Sequence, residues 1–181
     1  FSAEMIHPAA ALVLDDALAL AMLCSACATA EAALPERQAH PLVFNGLLRL
    51  LAHLPEGAPQ LSALIRWEAD LLTELGYGMD LSACAVTGAA SGLAYVSPKT
   101  GRAVSAEGAG IWAERLLKLP ALLLAEPLRN APDDAADWRA GLRLTGHFLA
   151  RDVFGLQHKP LPAARIALYD RIAAMTEPPD A

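Results

Sequence analysis

Apolar and polar residues are arranged along this chain mainly with the period of an α-helix. Leu61, Leu64, Ile65, Leu71, Leu72 and Leu75 recur at steps that gather side chains on one helical face, and Glu68 is the single polar residue among them. Gly76 then stands where a left-handed C-cap would close that helix. An earlier apolar block follows Asp15 and Asp16, either of which can cap or lead it, and is expected to run through Ala33 and stop near Pro35. After the loop PERQAHP a second helix is predicted over about 42–54, with Leu47, Leu51 and Leu54 on one face, and EGAP breaks it. Farther on, Asp133 or Asp134 starts a helix expected to reach Phe154 and stop at Gly155, and a last helix is expected over about 162–175.

Between 84 and 105 the helical period disappears and glycine, serine, threonine and valine take over. Ala94, Tyr95 and Val96 precede SPKTG, and Arg102, Ala103 and Val104 follow it, a pattern that suits a short hairpin. Two strands alone are marginal, so the hairpin must lean on the helices. Helix is expected again over about 106–119, where Trp112, Leu116 and Leu119 share a face, with Pro120 ending it. The expected fold class is mainly α: a helical domain (1–82 and 106–181) carrying a small β-hairpin insert (83–105).

Composition narrows this picture. Hydrophobic residues make up 55% of the 181, enough for a packed helical core. The longest apolar run, 17–30, is too short for a membrane span and contains Ser25 and Thr29, so it reads as a buried helix. A net charge of −6 argues against a general nucleic-acid binder while leaving room for a local basic patch. Three cysteines, an odd number, suit a reducing cytoplasm. The chain begins at Phe1 without methionine, and FSAEMIHP reads as the end of a preceding segment.

The chemistry-bearing residues are few. Cys24 and Cys27 have CxxC spacing but lie in an alanine-rich apolar helix with no second pair, so two small buried thiols are expected rather than a metal site. Glu68 and Asp70, two positions apart on a helix, diverge and cannot act on one substrate atom; Glu68 is expected to meet a cation, Arg66 or a later arginine. There is no HExxH, GxSxG, phosphate-binding glycine loop or dinucleotide fingerprint, and enzyme activity is not expected. Arg139, Arg143, His147 and Arg151 recur every four residues, with Lys159 and Arg165 beyond them. Two readings stay open for this stripe: a surface for phosphates or an acidic peptide, or a solvated face paired with Asp137 and Asp152. Trp67, Trp112 and Trp138 are expected in the core, which leaves Tyr95, near Lys99 and Arg102, as the one candidate for stacking on a base.

RWEADLLTELGYGMDLSACAVTG, YVSPKTGRAVS, SACATAEAALPERQAHPLVFNGLLRLL and KPLPAAR occur in an order that resembles the C-terminal part of the RecO family of bacterial recombination mediators. The resemblance implies an N-terminal OB-fold barrel ahead of a helical domain, of which this chain would be the second part. It implies a non-enzymatic role in DNA repair and recombination: annealing strands and, with RecR, helping RecA load on single strands coated by single-stranded-DNA-binding protein (SSB). Single-stranded DNA would be held mainly by the absent barrel, in the cytoplasm at the nucleoid, with no membrane and no cofactor. Some relatives place four zinc-binding cysteines around the hairpin; here Cys84 would need partners near Thr87, Ser105 and Gly108, none of them cysteine, so no metal is expected. The helical domain would receive the acidic, apolar C-terminal tail of SSB. Arg66, Arg139, Arg143, Arg151, Lys159 and Arg165 are the candidate cations for it, and Leu64, Leu71 and Leu72 the candidate groove. The alternatives are a structural scaffold or dimerisation domain and, third, a small-molecule enzyme or sensor with a deep polar pocket.

Overall fold

A computed structural model describes residues 9–58, 60–124 and 134–176; Phe1, Pro59 and Asp133, named above, lie outside them. A one-turn helix α1 (Ala9–Leu12) leads into α2 (Ala17–Ala33), α3 (Pro41–His53) and α4 (Gln60–Glu74). The insert follows, with β1 (Leu93–Val96), β2 (Ala103–Ser105), a single helical turn α5 (Ala106–Ala109) and β3 (Leu117–Lys118). Helices α6 (Ala135–Phe148) and α7 (Ala163–Thr176) return to the bundle.

The helix ends follow from their capping residues. Asp16 Oδ1 accepts hydrogen bonds from the Leu18 and Ala19 amides at 2.8 and 3.0 Å, satisfying two donors that the first turn of α2 cannot use internally. Asp134 does the same for α6 through the Asp137 amide at 2.8 Å. At the end of α4, Gly76 takes φ +87°. The Tyr77 amide reaches back to the Leu72 carbonyl at 2.7 Å and the Gly76 amide to that of Thr73 at 3.0 Å, the paired bonds of a Schellman cap.

Helix α4 is the hub. Leu61, Leu64, Ile65, Leu71 and Leu72 are fully buried, and α4 packs against both α3 and α6. Gly141 on α6 allows close approach, since a Cβ there would sit 2.8 Å from Ile65 Cγ2. The small side chains of Ala19, Ala26, Ala30 and Ala33 form the buried face of α2, which lies along α7 and its buried Leu168 and Ile172. Trp67 and Trp138 donate their indole N–H groups to the Val43 carbonyl and Ser62 Oγ, each at 3.0 Å, so neither leaves a buried donor unmet.

One polar network crosses this core. Arg165 of α7 is 1% exposed and donates from Nε to Glu68 Oε1 of α4 at 2.5 Å and from Nη2 to Glu68 Oε2 at 3.0 Å. Nη2 also reaches the Leu142 carbonyl of α6 at 2.7 Å, and Thr145 of α6 donates its hydroxyl to Glu68 Oε2 at 2.5 Å. The expected cation beside Glu68 is therefore the later arginine, and three helices are tied through one carboxylate.

The insert is a three-stranded antiparallel sheet in the order β2-β1-β3 rather than a bare hairpin. The helix expected over 106–119 stops after one turn at Gly110, whose φ is +47°. A 3-10 segment, Gly110–Arg115, then carries the chain to β3, which pairs Lys118 with Tyr95 and Leu117 with Val96. The hairpin tip is held against the end of α6, where Arg151 Nη1 donates to the carbonyls of Pro98 and of Lys99, the latter at 3.3 Å. His147 Nε2 lies 3.1 Å from the same Pro98 oxygen, and the Arg151 guanidinium sits 4.8 Å over the Phe148 ring. Beyond α6 a π-helical stretch, Leu149–Phe154, and a 3-10 turn, Gly155–Gln157, carry the rod past Gly155, where helix is expected to stop, to His158 at φ +53°.

The network sets the first expected outcome. Arg165→Met strands a buried carboxylate, and denaturant unfolding should show a loss of about 3–5 kcal/mol. Combining it with Glu68→Leu should recover most of that loss; an Arg165→Met protein as stable as the parent would contradict the assignment.

Candidate functional site

The first turns of α6, starting from the Asp134 cap, present Ala136, Arg139, Ala140 and Arg143 at helical spacing toward β3. The two alanines leave space, and Leu116 and Leu117 supply an apolar floor opposite them. The result is a cleft of about 570 Å³ between the sheet and α6. Its rim carries Arg139, Arg143 and Lys118, with Glu114 the carboxylate among the lining residues. Arg139 Nη1 donates to Thr176 Oγ1 at 3.0 Å, which holds its side chain along the cleft wall. Arg143 and Lys118 are exposed. A second hollow of about 440 Å³ shares Tyr95, Lys118, Ala136 and Ala140 and continues toward Leu119 and Pro120. Such a groove, apolar below and cationic at its edge, suits an extended segment that carries both apolar side chains and carboxylates.

The other predicted site residues lie elsewhere. Arg66 is half-buried on α4, where its Nε donates to the Leu122 carbonyl at 3.1 Å, and it lines neither hollow. Arg151 is committed to Asp152, at 2.6 Å and 2.7 Å, and to the hairpin tip. Lys159 is exposed on a separate cavity of about 580 Å³ that also bears Glu31 and Glu36. Arg165 is corrected outright: its guanidinium is consumed by Glu68 inside the core and cannot meet a ligand. Leu64, Leu71 and Leu72 are corrected likewise, because full burial makes them core rather than groove. Sequence reasoning missed Lys118, Leu116 and Leu117 as site residues because it ran a helix through them. The glycines at 108 and 110 were the available signal that a helix there must break.

The positions implied for a zinc site do converge. Cys84 Sγ accepts from the Ser105 amide at 3.2 Å, the Ser105 hydroxyl at 3.3 Å and the Thr87 amide at 3.4 Å, and a Cβ on Gly108 would lie 3.0 Å away. One thiol with a serine, a threonine and a glycine does not make a tetrahedral ligand set, so the residues present do not fit zinc. Among the described residues no three metal-binding side chains cluster anywhere. The donors around Cys84, led by the Ser105 hydroxyl, outweigh burial and lower its thiol from the ordinary 9.0 to about 6. Cys24 and Cys27 are exposed, contrary to expectation, on the outward side of α2. Partial burial, followed by the neighbouring Cys24 and Glu31, pushes the Cys27 thiol up.

Because the Cys84 thiol is lowered on folding from 9.0 to about 6, its thiolate contributes stability that is fully present above pH 9 and is lost as pH falls through 6. Thiolate absorbance should therefore show a transition near pH 6 that disappears in Cys84→Ala and moves upward in Ser105→Ala. A Ser105→Ala titration identical to the parent's would contradict the hydrogen-bonded cradle.

Among the described residues no helix is long and apolar enough to cross a membrane. No solved structure matches the chain. The family described as "Recombination protein O C terminal" matches residues 14–162. A DNA repair protein RecO from Granulibacter bethesdensis is 60% identical over 97% of this chain and 70% of its own length. One from Acidiphilium cryptum is 57% identical over 94% and 68%, and one from Gluconacetobacter diazotrophicus 56% identical over 96% and 69%. Several ordered motifs, a mainly helical fold with its small sheet, and relatives of this similarity place the chain in the RecO family of DNA repair and recombination proteins.

Proposed function

We propose that this chain serves DNA repair as a non-enzymatic recombination mediator whose helical domain receives the acidic, apolar C-terminal tail of SSB. The observation that carries the reading is the cleft between β3 and α6, with Arg139, Arg143 and Lys118 above the Leu116 and Leu117 floor. An apolar terminal side chain would rest on the leucines, and the tail carboxylates would meet the cations. Engaging the tail brings the mediator to SSB-coated strands in the cytoplasm, at the nucleoid. There, with RecR, it would help RecA load and complementary strands anneal, with DNA held mainly by a separate OB-fold barrel. Binding and positioning, rather than bond chemistry, are the work assigned to this domain.

A second reading, a scaffold or self-association domain, is favoured by the outer face of α3, where Phe44 and Leu48, one turn apart, are exposed. It predicts salt-insensitive dimerisation in sedimentation, whereas tail binding weakens as salt rises.

Fluorescence anisotropy with a labelled tail peptide separates the two. Arg143→Ala and Lys118→Ala should each weaken binding by about 1 kcal/mol, roughly fivefold, at low salt, and Arg66→Ala should leave it within about twofold. Removing the peptide's terminal apolar residue should abolish saturation. Equal affinity across the cleft variants would move the tail off this surface.

A further inference from the structure

The sequence places Trp112 in the core, and the structure puts it outside. Gly110 ends α5 with φ +47°, and the following 3-10 segment turns its first side chains to solvent: Ile111 is 89% exposed and Trp112 55%. In a 3-10 helix residues three apart eclipse, and Trp112 and Arg115 obey that spacing. The Arg115 guanidinium lies 5.3 Å from the indole centroid. Val86, also exposed, borders the same turn, since a Cβ on Gly108 would come within 3.3 Å of its own Cβ. Unlike Trp67 and Trp138, Trp112 makes no indole hydrogen bond among the described residues. A large aromatic is thus held outward by a backbone break and capped by a cation.

We infer that Trp112 and Arg115 form a stacking site for single-stranded nucleic acid, separate from the tail cleft. Unpaired bases need an exposed π-face beside cations, and this pair provides both. The run from Asp80 to Lys118 carries Lys99, Arg102, Arg115 and Lys118 against Asp80, Glu107 and Glu114, a surplus of one cation in a chain whose net charge is −6. One exposed indole face beside a cation suffices to stack a single base. The site does not depend on what occupies the cleft.

The test is titration of this chain with a short oligothymidylate, which has no structure of its own, at low salt. Trp67 is buried and Trp138 half-buried, so the long-wavelength tryptophan emission reports Trp112. Saturable quenching of that emission is expected. Trp112→Ala should bind the oligonucleotide about tenfold more weakly, with Trp112→Phe in between, and Arg115→Gln should lower the salt slope by about one. Trp112→Ala should keep the parent's circular dichroism and bind the tail peptide as the parent does within about twofold. Unquenched emission, absent oligonucleotide binding, or a Trp112→Ala affinity equal to the parent's overturns the inference and leaves the turn as a protein contact.

Discussion

The Glu68 carboxylate, held inside the bundle by Arg165 and Thr145, is the constraint on which the functional geometry rests. A buried charge is tolerable only when its partners supply the hydrogen bonds that water would. Here those partners come from α6 and α7, so the position of α6 relative to α4 follows from satisfying one carboxylate. The Gly141 contact with Ile65 reinforces this by bringing the two helix axes close. Once α6 is placed, its inward residues serve the core, and Arg139 and Arg143 are left facing the sheet. The far end of the same helix clamps the hairpin tip through Arg151 and His147, which fixes the opposite wall of the cleft.

The insert gathers four positions around a single thiol. Cys84, Thr87, Ser105 and Gly108 converge on a space that one thiol and its hydrogen-bond donors fill. Hydrogen bonds to a thiolate-prone sulfur are individually weak compared with metal bonds, and the sheet gains further support elsewhere. The Ala103 amide donates to the Asp80 carbonyl at 2.9 Å, the Ala85 amide reaches the Ala103 carbonyl at 2.8 Å, and β3 closes the second edge of β1. The cleft wall is therefore built mainly from backbone pairing and packing.

Much of the bundle was legible in the sequence, because caps and period are local. Asp16, Gly76 and Asp134 mark helix ends that the structure reproduces, and the apolar face of α4 is the hub that its spacing announced. What escaped was decided by contacts far apart in the chain. Nothing near Arg165 distinguishes it from Arg143, yet one is sealed against a carboxylate from another helix and the other faces solvent. Cys24 and Cys27 sit on a helix apolar on all sides, where composition cannot say which side the neighbouring α7 will cover. The stretch after Ser105 has helical spacing over too few residues to resist two glycines and the open edge of β1, so Trp112 and Leu116 changed roles.

The functional geometry proposed for this domain requires the acidic tail to bind in the β3–α6 cleft. Amide chemical-shift mapping with unlabelled tail peptide reads that location without altering a single residue. The largest changes should fall on Tyr95, Leu116, Leu117, Lys118, Arg139 and Arg143 and fade toward α2 and α3. Changes centred instead on the cavity bounded by Glu31, Tyr77 and Leu156, or on the outer face of α3, would contradict it.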